Sequence, residues 1–174
     1  MKRRTRVRGQ SMVEFAVVLP IFIMLLVGIF DFGRVIWVND TLSTAAREAA
    51  RYAIVHGGSV STLCPAGPPS PDASEPDVTC PPYPNGTAYP AGSKEAIRDV
   101  AHHWAAGAGS DVSVSICYGE VTSCAGDVDE AAATNARGTP VTVTVTSTVG
   151  LAAPSLFGFG GFDLSATSTM LVNH

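Results

Sequence analysis

Basic residues are scarce after the first eight positions. Lys2, Arg3, Arg4, Arg6 and Arg8 take five of the eleven Lys and Arg in a chain of 174 residues. Only Arg34, Arg47, Arg51, Lys94, Arg98 and Arg137 follow, against all fifteen Asp and Glu. The body is therefore acidic, and an acidic body repels phosphate backbones, so no nucleic-acid partner is expected. Charge is missing altogether from Phe15 to Phe30. As a helix those residues span about 24 Å, slightly short of a bilayer core of about 30 Å. Adding Ser11 to Val13 brings the length close to sufficient and takes in Glu14. A third absence is the small-residue A-x-A site of a cleaved secretory signal. After Ala16 the next alanine is Ala45, and Asp31-Phe32-Gly33-Arg34 follows the apolar core. An uncleaved anchor fits better, single-pass, with the basic tip held in the cytoplasm and the remainder exported. The sequence also lacks G-x-S-x-G, H-E-x-x-H, P-loop and dinucleotide fingerprints, so neither catalysis nor a cofactor is expected.

Proline and glycine are absent from Arg34 to His56, and the helix should continue past the membrane. Val35, Val38, Leu42, Ala45, Ala49 and Ala53 recur at three- and four-residue steps, a helical stripe whose alanines admit close packing. Gly57-Gly58 should end it. A helix from Ser11 to His56 would be about 70 Å long, half in membrane or filament and half a spine for the exported domain. Pro20 removes one hydrogen bond and marks a candidate break. Asp31 and Arg34, three residues apart, could pair at the membrane exit.

Glu14 is out of place at the edge of an apolar helix, where an unpaired carboxylate costs on the order of a few kcal/mol. Either it snorkels toward Arg8, or it awaits a cation from another subunit. Cleavage after Gly9 would create such a cation, the α-amine of Gln10.

Gly9-x4-Glu14-Phe15 behind a basic leader looks like the signal processed by a membrane prepilin peptidase. The string Glu14-Phe15-Ala16-Val17-Val18-Leu19-Pro20, a Leu-rich run, and then Gly28-Ile29-Phe30-Asp31-Phe32-Gly33-Arg34 resembles the TadE-like family, pseudopilins or minor pilins of the Tad (Flp, type IVb/IVc) pilus system. The close resemblance covers Gly9 to Tyr52. It implies cleavage between Gly9 and Gln10, with Glu14 and Phe15 at the positions used in processing and assembly. It also implies a prepilin peptidase, other pilin and pseudopilin subunits, and the cytoplasmic membrane as partners. Major Flp pilins typically carry Glu-Tyr and are little more than the helix. Glu14-Phe15 and the length of this chain point instead to a minor pilin. The alternative is an envelope-anchored binding module that enters no filament.

The remainder reads as an exported α+β domain, residues 57–174. Residues 59–92 are Pro-rich and exclude helix or central strand. Cys64, Cys80, Cys117 and Cys124 allow three pairings. Cys64–Cys80 and Cys117–Cys124 are favoured, since each pair brackets a local segment, and a zinc site is the weaker reading. Ser93 should cap a helix from Lys94 to Ala106 that buries Ile97, Val100, Ala101 and Trp104. Of His102-His103 one should be packed and one solvated, and no metal is expected. Residues 112–118, 141–146 and 162–172 alternate at period two and read as strands, with a turn at Gly119-Glu120. Leu151 to Phe162 is either a crossing loop with exposed aromatics or a wall of the core. The expected architecture is pilin-like: a leader at 1–9, a helix at 10–56 with its anchor at about 12–30 and spine at 31–56, and a small antiparallel sheet with a short second helix packed on that spine.

Overall fold

The computed structural model describes residues 10–56, 67, 79–80, 89–90, 94–124, 126–127, 134–155, 158 and 160–173. Gly9 and Cys64 lie outside them, as does the predicted cap Ser93.

The fold is α+β. Helix α1 runs Gln10–Val55, continuous through Pro20. Proline takes one N–H from the ladder, the donor that Ala16 O would otherwise receive, and the helix does not end there. Two two-residue strands, β1 (Thr79–Cys80) and β2 (Tyr89–Pro90), pair antiparallel within the Pro-rich region. Helix α2 is Glu95–Trp104. Strands β3 (Val112–Tyr118), β4 (Pro140–Val149) and β5 (Phe162–Leu171) form an antiparallel sheet in the order β3-β4-β5. A four-residue helix, α3 (Ala152–Ser155), interrupts the β4–β5 connection.

The chain divides into two compact units. One comprises Met1–Ile36 with Gly150–Gly161, the other Trp37–Val149 with Phe162–His174. The core belongs to the second. Val38, Leu42, Ala45, Ala46, Ala49, Ala50 and Ala53 are buried along α1, and Ile97, Val100 and Ala101 along α2. Val141, Val143, Val145 and Val149 are buried on alternate positions of β4, with Ile116, Cys117 and Tyr118 from β3. Period 3.6 on the helices and period 2 on the strand thus turn the small and branched residues to one interior. The single buried hydroxyl of β4, on Ser147, donates to Ala108 O at 3.1 Å, which satisfies it just after α2.

Three local expectations are corrected. Trp104 does not join the buried face of α2, being 46% exposed at the last helical residue, where the chain turns away. His102 and His103 are both exposed, in the last turn of α2. Lys94 occupies the N-cap with no side-chain cap bond, and its ammonium reaches Ile116 O at 2.9 Å and lies 5.8 Å from the Tyr118 ring centroid.

The two edges of the sheet differ. On β3, Asp127 Oδ1 accepts the Ile116 N–H at 2.6 Å, and Lys94 Nζ takes the same residue's carbonyl. Arg98 donates to the other oxygen of Asp127. The Cys117–Cys124 disulfide, with Cα atoms 5.7 Å apart, closes the loop beside this edge. Side chains therefore meet the N–H and carbonyl of Ile116, which an edge strand otherwise leaves open. The Cys64–Cys80 pairing falls outside the described residues.

Candidate functional site: the apolar helix and its exit

The first half of α1 has no interior of its own. Phe15, Val17, Val18, Ile21, Phe22, Leu25 and Ile29 are exposed on every side of the helix, as are Phe30 and Phe32. A helix apolar all round is stable only if something apolar surrounds it. Among the described residues, α1 is the one helix long and apolar enough to cross a membrane.

Glu14 sits one helical turn after Gln10, the first residue of α1, and is exposed. Among the described residues it has no ion-pair partner. Four residues is close to one turn, so an α-amine on Gln10 would lie on the face that carries the carboxylate. Phe15 follows, also exposed.

Gly28 and Gly33 interrupt an apolar stretch that could have carried alanine. A Cβ at either would meet nothing within 4 Å. Glycine inside a helix costs about 1 kcal/mol relative to alanine, and no contact among the described residues explains it. The missing side chains leave backbone bare for a neighbour outside the chain.

At the exit, Asp31 and Arg34 do not form the ion pair that their spacing suggested. Each reaches the β4–β5 connection instead. Asp31 Oδ1 accepts the Ala152 N–H at 3.1 Å, and Arg34 Nη1 donates to Gly150 O at 3.2 Å. The carboxylate thereby caps the first residue of α3, and the guanidinium takes a strand-end carbonyl. This clasp joins positions about 120 residues apart in sequence. The only local signal was the spacing, which could indicate a pair but not a distant partner. Gly33, between them, takes no part.

Residues 9–51 match the family model described as TadE-like protein. This segment resembles the TadE-like family. The TadE-like segment holds Glu14, Phe15, Pro20 and the Asp31–Arg34 exit, and stops within the alanine stripe; residues 52–174 lie outside the match. No curated protein and no solved structure matches the chain. The matched segment contains the whole uncharged run, Phe15 to Phe30. Among the described residues no three His, Cys, Asp or Glu side chains gather as a metal ion would require.

Proposed function

We propose that the protein is a minor pilin-like structural subunit for assembly of a Tad/Flp-type adhesive pilus, matured by a prepilin peptidase that cuts after Gly9. The observation that carries this reading is the TadE-like segment itself, a uniformly exposed apolar helix whose second turn bears a Glu14 with no ion-pair partner among the described residues. The mechanism is physical. Cleavage removes five cations together with the leader and leaves an α-amine on Gln10. The apolar helix holds the subunit in the cytoplasmic membrane, with the acidic body exported. Transfer into a helical bundle then exchanges lipid for side-chain contacts, and Glu14 meets the α-amine of a neighbour. Either charge left unpaired away from water is costly, so the pair can fix the axial register of one helix against the next.

The test is the mature N-terminus of membrane-extracted protein, with and without the cognate peptidase. A chain beginning at Gln10 only when the peptidase is present is expected. Intact Met1 in both preparations would remove the proposal. Glu14→Ala should still insert in the membrane yet lose incorporation or processing; full piliation with that variant would reduce Glu14 to a snorkelling side chain.

A further inference from the structure

The β4–β5 connection, Gly150–Gly161, falls in the same compact unit as the apolar half of α1. It contains no charged residue and no histidine, and its sequence includes Leu151, Leu156, Phe157 and Phe159. Leu151 is half-buried, and Gly150, Ala152, Ser155, Gly158 and Gly160 are exposed. It is therefore not, in its described part, a wall of that core. Its attachment points on α1 are Asp31 and Arg34, directly after the uncharged run ends at Phe30. Phe30 and Phe32 beside them are 77% and 68% exposed.

Several backbone groups in the described part of this connection are bonded within the chain. Gly150 O and Ala152 N are taken by Arg34 and Asp31. Ser155 N donates to Leu151 O at 3.3 Å, Ser155 Oγ to Ala152 O at 2.8 Å, and Gly158 N to Ser155 O at 3.1 Å. Bonded peptide groups are compatible with an apolar surrounding, where unsatisfied ones would be costly. The same two bonds also satisfy the charged side chains at the point where α1 would leave the membrane.

We propose that Gly150–Gly161 is a second lipid contact, a turn that enters the headgroup–acyl boundary beside the membrane helix and is held there by Asp31 and Arg34. The proposal rests on the membrane reading of α1. The protein would then meet the bilayer at two points of its sequence, fixing the exit of α1 against the lipid surface.

Tryptophan quenching by brominated lipids tests it. The chain has two tryptophans, and Trp37→Phe with Trp104→Phe gives a silent background in the full-length protein. Single tryptophans are then placed by Ser155→Trp in the turn, Phe22→Trp in the helix and Thr167→Trp on β5. In phosphatidylcholine–phosphatidylglycerol vesicles, Phe22→Trp should lose emission to deeply brominated chains. Ser155→Trp should lose it to chains brominated near the headgroup, and Thr167→Trp to neither. Leu151→Trp provides a second position in the turn should Ser155→Trp fold poorly. Asp31→Ala with Arg34→Ala should abolish quenching at the turn and leave it at Phe22→Trp. Both turn probes unquenched beside a quenched Phe22→Trp would overturn the proposal and leave the membrane helix intact. Equal quenching at Thr167→Trp would also overturn it, since the lipid contact would not be specific to the turn. An unquenched Phe22→Trp would remove the membrane reading and this inference with it.

Discussion

Gly67 is buried at φ +96°, and a Cβ built there would overlap the Tyr118 ring at Cζ and Oη. Tyr118 is itself completely buried at the end of β3. One residue of the Pro-rich region is thus seated against the largest side chain of the core, where only glycine fits both the dihedral and the space. Gly67→Ala is expected to lower stability by about 1–3 kcal/mol through overpacking and the left-handed backbone. A denaturation midpoint equal to that of the parent protein would show that Tyr118 can give way. Gly107 makes a similar close approach to Trp37, where a Cβ would stand 2.7 Å from the indole Cη2. These two glycines have a reason inside the chain, whereas Gly28 and Gly33 have none among the described residues.

Elements bring other interactions into play. The eight-residue loop from Cys117 to Cys124 closes beside β3, where Asp127 and Lys94 already hold the strand edge. Replacing both cysteines with serine should cost about 2–3 kcal/mol by the loop-entropy relation for so short a loop. Thermal melts of the variant, and of the parent with and without reductant, measure it; a parent melt indifferent to reductant would mean that the clasp of Asp127 suffices. Helix α1 offers a contrasting case. Gly33→Ala adds a methyl group to open space and raises helix propensity, so the isolated protein should be as stable or gain up to about 1 kcal/mol. Under the proposed filament role the same change should reduce assembly, because it blocks backbone approach by a neighbouring helix. Assembly at the parent level would show that this glycine face is not used.

At the scale of the whole molecule, two units divide the work. Every described buried apolar residue lies at Val38 or beyond, which predicts a core that forms without the exposed apolar helix. A chain starting at Trp37 should fold without detergent and melt in one cooperative transition, while the full chain should require detergent or lipid. Aggregation of the shortened chain, or a melt without cooperativity, would show that residues 10–36 contribute to the core. Circular dichroism and gel filtration in the absence of detergent decide between these outcomes.

Much of this was written in local patterns. Sixteen uncharged residues, a basic tip, a misplaced glutamate and an alanine stripe free of Gly and Pro establish a long helix that is apolar first and one-sided afterwards. Alternation in 112–118, 141–146 and 162–172 establishes strands, because side-chain period follows directly from backbone geometry. Positions that depend on distant partners were not legible. Trp104 fits the apolar spacing of α2, yet the chain turns where it stands and leaves it half-exposed. Asp31 and Arg34 have the spacing of an ion pair, yet both bond to a turn about 120 residues away. Spacing along one helix reports which residues share a face, and it carries no information about what that face will meet. The sequence by itself determined the helix, the strands and the apolar segment, while only the tertiary structure decided that the exit residues hold the β4–β5 turn, since that bond exists only once the sheet has returned the chain to the helix.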